Sequence, residues 1–303
     1  MDYQEKELME DNENAKSEAD MAEFSKAKNE NMFEEYYQKR EYGGTVYNLR
    51  LHMQPVSAGF RTDYYAPFMQ ETTYADGIRY DRDVEVPISN NRKVYIDVYR
   101  PEHNLEKLPV ILMWTPYGKR HWHGKTETPG LHQAMGVPKG TISDRAAFEG
   151  ADPGYWCQQG YCVVNVDAPG TGFSTGDNNF MFVKEGGEDG KEVIDWIGEQ
   201  SWCNGNVGMA GNSGLAMSQW VIAAAKPNHL KCIAPWEGSS DLYRENVCVG
   251  GIPSPAFSEL IWYDFRGPGL QPDPSYMIQK NDLFNEYWQN HAVDLEKIRI
   301  PVY

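Results

Sequence analysis

Three short apolar runs restrict the folds open to this chain more than any other feature. They are Pro109-Val110-Ile111-Leu112-Met113-Trp114, Tyr161-Cys162-Val163-Val164-Asn165-Val166 and Asn206-Val207-Gly208-Met209-Ala210. Runs of this kind, with no polar face, are the pattern of strands buried on both sides of a parallel sheet. The first stops at Thr115-Pro116-Tyr117-Gly118 and the second at Asp167-Ala168-Pro169-Gly170-Thr171-Gly172. Between the second and third, Gly187 to Ile197 carries apolar residues at helical spacing. An apolar helix from Ser213 to Ala225 then leads into a fourth strand, Leu230 to Pro235. Strands alternating with helices predict an α/β domain, a mostly parallel sheet flanked by helices.

The rest of the chain divides around this core. Arg79 to Ile88 and Lys93 to Tyr99 flank Asn90-Asn91 and read as a β-hairpin with an Asn-rich turn. Residues 1–60 are rich in Glu, Asp, Asn, Lys and Ala, with Met21, Phe24, Met32, Phe33, Tyr36 and Tyr37 at helical intervals. They predict an acidic helical or partly disordered extension before a core over 61–246. In 247–297, Gly250-Gly251-Ile252-Pro253 and Gly267-Pro268-Gly269 separate aromatic-rich helical patches containing Trp262, Tyr263, Phe265, Phe284, Tyr287 and Trp288, which predicts a helical cap. Residues 298–303, Ile298-Arg299-Ile300-Pro301-Val302-Tyr303, read as the start of the next core strand.

Charge and cysteine content exclude several classes. The 303 residues hold 28 Lys and Arg against 44 Asp and Glu, a formal net charge of −16. Phosphate backbones and anionic lipid surfaces are repelled by such a chain, so neither nucleic acid nor membrane is an expected partner. Cys157, Cys162, Cys203, Cys232 and Cys248 form no CxxC pair and no metal-type spacing, and read as buried reduced thiols. No metal and no cofactor is expected: there is no P-loop, and Gly170-Thr171-Gly172 lacks the further glycine of a dinucleotide fingerprint. The acidic N-terminus has no basic flank followed by an apolar core, and no run approaches the roughly 20 apolar residues of a membrane span. A cytoplasmic location is the default expectation.

The stretch richest in chemistry is Val207-Gly208-Met209-Ala210-Gly211-Asn212-Ser213-Gly214-Leu215-Ala216. A buried strand, a small residue, a spacer, a serine and then small residues opening a helix describe a nucleophile elbow, although Leu215 breaks the common G-x-S-x-G form. Small neighbours suit the close approach of strand and helix, and the helix N-terminus favours a developing oxyanion. The competing reading is a serine that merely N-caps the helix. The landmarks Pro116-Tyr117-Gly118, Gly160-Tyr161, Asp167 to Gly176, Glu188-Asp189-Gly190, Ile194 to Ile197 and above all Trp202-Cys203-Asn204-Gly205-Asn206-Val207-Gly208-Met209 occur in one order. That order, extended by Ile233-Ala234-Pro235 and Ser240-Asp241-Leu242-Tyr243, resembles the CocE/NonD α/β-hydrolases, the group of X-Pro dipeptidyl peptidase, cocaine esterase and α-amino-acid ester hydrolase. The likeness spans roughly Val84 to Tyr303.

The resemblance implies a serine hydrolase acting on a small ester, amide or short peptide through an acyl-enzyme. Ser213 would be the nucleophile, with the Gly214 N–H and the Tyr117 phenol as the oxyanion hole. Three positions depart from the family pattern: Gly214 stands where Tyr is usual, Pro169 where Arg is usual, and Ala216 where Gly is usual. A wider acyl site is one consequence of the first. The family's acid follows the strand that Ile298 begins, its histidine lies further on, and a β-sandwich domain follows; all three are expected beyond Tyr303. Of the seven histidines, His121 and His123 follow Tyr117 in a Lys/Arg/Gly loop that reads as flexible. His52, His103, His132, His229 and His291 read as surface or packing residues. Glu188 and Asp189 read as first-turn carboxylates of the helix ending near Glu199. Trp262, Tyr263, Phe265 and Trp288 are either core or the lining of an acyl pocket. The expectation is a hydrolase core that is inactive by itself. The alternative is a non-catalytic relative that binds a small ligand or a partner strand at its open sheet edge, a second copy of itself included. Residues 214–218 contain no carboxylate to hold a substrate amine, which favours ester substrates.

Overall fold

Hydrophobic burial and turn chemistry build the fold seen in a computed structural model, which describes residues 37–42, 45–50, 68–103, 106–120, 136–138, 140–178, 183–255, 271, 272 and 274–303. The chain divides into two compact units, 1–51 and 52–303. In the first, β1 (Tyr37–Tyr42) pairs antiparallel with β2 (Thr45–Arg50), Tyr42 opposite Thr45. This hairpin corrects the helical or partly disordered reading of that stretch. Thr45, Val46 and Tyr47 are strand formers. Met21, Phe24, Met32, Phe33 and Tyr36 lie outside the described residues.

The second unit is a seven-stranded mixed sheet in the order β3-β4-β5-β7-β6-β8-β9. Its strands are β3 (Glu71–Ala75), β4 (Ile78–Ile88), β5 (Arg92–Pro101), β6 (Leu108–Thr115), β7 (Cys162–Asp167), β8 (Cys203–Asn212) and β9 (Leu230–Trp236). The strands β7, β6, β8 and β9 are mutually parallel, while β3, β4 and β5 join antiparallel at one side. The Asn90-Asn91 hairpin forms as expected, with both residues at positive φ (61° and 55°). The strand β3 was not anticipated; Asp76-Gly77, with φ 55° and 73°, was its turn signal. Beyond β9, Val302 makes a parallel bridge to Ile233, with Ile233 N donating to Pro301 O at 3.1 Å and Tyr303 N to Ile233 O at 3.0 Å.

Two helices cover the sheet: α1 (Lys184–Gly198) and α2 (Gly214–Ala224). Val110, Leu112, Val164, Val166, Val207 and Met209 meet Val193, Ile194, Ile197 and Ile222 in one buried core. At about 25 cal/mol per Å² of apolar area, this burial is the main stabilising term. The helices approach closely because α1 has glycine at the crossing: a methyl on Gly190 would lie 2.4 Å from Ile222 Cδ1. The helix α1 begins at Lys184, earlier than the Glu188-Asp189 pair suggested, so those carboxylates are not in its first turn. Asp189 is instead buried against Arg92, at 2.5 and 2.6 Å. Burial pushes the Asp189 carboxyl up despite that guanidinium.

Further on, α3 (Pro274–Lys280) and α4 (Glu286–Asn290) follow a turn at Tyr243–Val247. Tyr287 and Trp288 are fully buried, packed with Tyr243 and His291. The Trp288 indole donates to Asn281 O at 2.6 Å, so this residue is core rather than pocket lining. Trp262, Tyr263 and Phe265 lie outside the described residues. Among the described residues no helix is long and apolar enough to cross a membrane.

Candidate active site

In an α/β sheet, ligands bind where neighbouring connections leave in opposite directions from the carboxyl ends of the strands. Here that place is the end of β6, which has β7 on one side and β8 on the other. Tyr117 lies just past β6 and Ser213 just past β8. Ser213 takes φ 54°, ψ −117°, a strained backbone for a residue with a side chain. The surroundings hold it there: Ser213 N donates to Trp236 O at 2.9 Å, and Ser213 O accepts from Ala216 N and Met217 N at 2.9 and 3.0 Å. Gly211, at φ 145°, is required as well, since a methyl there would lie 2.5 Å from Leu215 Cβ. Ser213 occupies the N-cap position of α2 but its side chain makes no capping bond. The simple capping reading therefore does not describe it.

Tyr117 is brought to the same spot. Its N–H is held by Thr115 Oγ1 at 3.0 Å, and its buried ring meets Phe148 edge to face at 5.4 Å. A methyl placed on Gly214 would lie 2.8 Å from the Tyr117 hydroxyl, so that oxygen sits directly against the first residue of α2. The glycine that departs from the family pattern is what leaves room for the hydroxyl in this pose. Gly214 N–H, at the first helical position, has no intrahelical acceptor. Ala216, the other small departure, is accommodated from across: a methyl on Gly238 would lie 2.4 Å from Ala216 Cβ.

Behind Tyr117 stands a buried charge network that corrects the flexible reading of this loop as far as Arg120. Lys119 and Asp167 are fully buried, with Nζ 2.5 Å from Asp167 Oδ2 and 3.0 Å from Asp83 Oδ1. Lys119 N also donates to Asp167 Oδ1 at 2.7 Å. Arg120 pairs with Asp83 and with Asp97, the latter at 2.7 Å. Burial alone would raise the Asp83 carboxyl, but Lys119 and Arg120 hold it below the usual carboxylate range. Burial likewise would lower the Arg120 pKa, and Asp97 and Tyr80 raise it instead. With Pro169 in place of arginine, the charge of Asp167 is met by Lys119.

Three residues that sequence reasoning passed over flank the elbow. Phe148 backs Tyr117, Glu149 O accepts from Asn212 N at 3.1 Å, and buried Gln219 ties α2 to β9 through Ala234 N at 2.9 Å. None lies in a motif; only the fold brings the 147–150 segment to the carboxyl ends of β6 and β8. Described histidines lie in other settings. His103 is exposed near Glu102, His229 Nδ1 meets Gly205 O at 3.1 Å, and buried His291 meets Tyr287 O at 2.9 Å. His52, His121, His123 and His132 lie outside the described residues. All five cysteines are free thiols, and Cys232 is exposed where a buried thiol was expected.

The family model described as X-Pro dipeptidyl-peptidase (S15 family) matches residues 91–264. A cocaine esterase of Rhodococcus is 32% identical over 188 residues, covering 62% of this chain and 29% of its own. A CocE/NonD family hydrolase structure from Staphylococcus aureus is 33% identical with a TM-score of 0.64, covering 74% of this chain and 40% of that one. An α-amino acid ester hydrolase structure, 18% identical with a TM-score of 0.55, covers 76% of this chain and 43% of its own, a likeness of fold. The chain thus spans less than half the length of each relative. Its sheet and flanking helices are an α/β-hydrolase core.

Proposed function

Since the chain belongs to the X-Pro dipeptidyl-peptidase (S15) family, we propose that it is the core of a serine hydrolase that cleaves a small ester or amide through an acyl-enzyme on Ser213. The observation that carries this reading is the Tyr117 hydroxyl lying against Gly214, beside the strained Ser213 backbone. In the reaction, Ser213 Oγ attacks the substrate carbonyl carbon while a base takes its proton. The carbonyl oxygen becomes an anion that Tyr117 O–H and Gly214 N–H receive. Collapse expels the alcohol or amine, and water repeats the attack on the acyl-serine. Two neutral donors stabilise the oxyanion without adding a fixed charge, and losing one such donor costs about 10²–10³ in turnover. Esters are the preferred class, because residues 214–218 offer no carboxylate to a substrate amine.

The general base is assigned outside His103, His229 and His291, each of which is engaged elsewhere. Among the described residues, therefore, no histidine is left to serve Ser213 as base. The same observation favours a second reading, a ligand-binding relative without catalysis. The two separate in one assay: p-nitrophenyl ester hydrolysis by the product of the full reading frame, with and without Ser213→Ala. Turnover that falls by three orders of magnitude or more, about the loss expected of a nucleophile, supports the hydrolase. Turnover equal in the variant, or none in either, overturns it.

A further inference from the structure

Asn212, the residue before the elbow serine, has its amide between two glutamates. One end of that amide lies 3.2 Å from Trp236 O and 3.1 Å from Glu237 Oε2. The other end lies 3.3 Å from Ser213 N and 3.3 Å from Glu149 Oε1. An amide has one accepting and one donating end. With the NH₂ toward Trp236 and Glu237, both acceptors are served, and Oδ1 at 3.3 Å is a second, longer acceptor for the Ser213 N–H, whose main acceptor is Trp236 O at 2.9 Å. Oδ1 then faces Glu149 Oε1, which bonds to it only if that carboxyl carries a proton. With the amide turned round, the NH₂ donates to Glu149 Oε1 but opposes the Ser213 N–H, and Oδ1 faces two acceptors, Trp236 O and Glu237 Oε2. Glu237 is exposed to solvent and needs no proton in either orientation, so the constraint falls on Glu149, which must be neutral in the orientation that serves Trp236 O.

We infer that Glu149 is held as the neutral acid against the Asn212 amide, with Glu237 facing it from the other end, and that this contact positions the Ser213 elbow. Glu149, Ser213 and Glu237 all take positive φ (58°, 54° and 52°), so three strained residues meet at one amide. Glu149 Oε2 is buried without a hydrogen-bond partner among the described residues, which suits a neutral carboxyl better than a charged one. Burial pushes the Glu149 carboxyl up to about 7, and the Glu237 charge adds to the effect. The charged group facing Glu149 from the end of β9 is Glu237, while β8 presents the neutral Asn212. On its own loop, Arg145 is paired with Asp76 at 2.8 Å, and Asp152 binds Ser143 and Gly154 N. When Glu149 loses its proton, the amide must turn or Glu149 must move, and the Ser213 N–H keeps Trp236 O but loses its second acceptor, Oδ1.

The proton assignment stands apart from any reaction at Ser213; the positioning role rests on the serine reading proposed above. The test is an NMR titration of the full chain labelled with ¹³C-glutamate and ¹⁵N. One glutamate carboxyl should titrate near pH 7, vanish in Glu149→Gln and shift to lower pH in Glu237→Gln. The Ser213 amide resonance should follow the same midpoint and become insensitive to pH in Glu149→Gln. All glutamates titrating below about pH 6, close to their ordinary range, would overturn the neutral Glu149. A midpoint unmoved by Glu237→Gln, should the first variant fail to fold, would overturn the assignment of that titration to Glu149. A Ser213 amide that ignores the titration would overturn the positioning role. A fluorophosphonate offered across the same pH range tests the serine reading separately. No adduct at any pH would count against that reading and leave the titrations as they stand.

Discussion

Replacing Lys119 with methionine removes one ammonium from a fully buried site. Nζ lies 2.5 Å from Asp167 Oδ2 and 3.0 Å from Asp83 Oδ1, and all three side chains are fully buried. Methionine keeps most of the volume, so the loss is one of charge rather than of packing. Breaking a buried ion pair by removing one partner costs about 3–5 kcal/mol, because the remaining charge is stranded. Asp83 retains Arg120 and the Met69 N–H, and Asp167 retains the Lys119 N–H, which places the expected loss at about 3–4 kcal/mol. The pH dependence has a definite sign. The Asp83 carboxyl is depressed by Lys119 and Arg120, so the stability it contributes is present above its unfolded pKa and is lost as the pH falls. In Lys119→Met the stranded carboxylates are relieved by protonation. The gap between wild type and variant therefore narrows as the pH falls from about 8 toward about 4, the ordinary aspartate range. Urea unfolding of the full chain at both pH values measures it. A loss under about 1 kcal/mol at pH 8, or one that grows toward acid, would refute the strut behind Tyr117.

Other consequences follow from close approaches and burial. Gly214→Ala puts a methyl 2.8 Å from the Tyr117 hydroxyl; displacing that donor should lower kcat of the ester reaction about 10–100-fold, measured by steady-state kinetics, while unchanged kcat would show the hydroxyl is not used. Gly211→Ala combines a φ of 145° with a 2.5 Å approach to Leu215 Cβ. It should cost about 2–4 kcal/mol in thermal or urea unfolding. Iodoacetamide on the native chain, followed by peptide mass spectrometry, should label exposed Cys232 and spare Cys157 and Cys162, whose buried thiols are pushed up to about 12.

Legibility in the sequence followed the physics of each element. The parallel strands, α2 and the Asn90-Asn91 hairpin were readable because buried strands and left-handed turns leave composition signals over consecutive residues. Gly211 and Ser213 were readable for the same reason, since the elbow is a local motif. The start of α1 was misjudged because Asp189 serves a tertiary ion pair with Arg92, 97 positions away, and not the helix terminus. Lys119 and Arg120 looked like a solvated loop, because nothing local distinguishes a lysine that will be buried against Asp83 and Asp167. Phe148 and Glu149 carry no pattern at all; their place beside the elbow exists only once β6 and β8 are adjacent in the sheet.

The central claim is that Tyr117, Ser213 and Gly214 form one reacting centre. It is tested most directly by reacting the full-length protein with an aryl phosphonate and determining the crystal structure of the product. The account predicts a covalent bond from Ser213 Oγ to phosphorus, with a phosphoryl oxygen about 2.7–3.1 Å from both the Tyr117 hydroxyl and the Gly214 nitrogen. An adduct on another residue, or one on Ser213 whose oxygen points away from Tyr117 and Gly214, would contradict it.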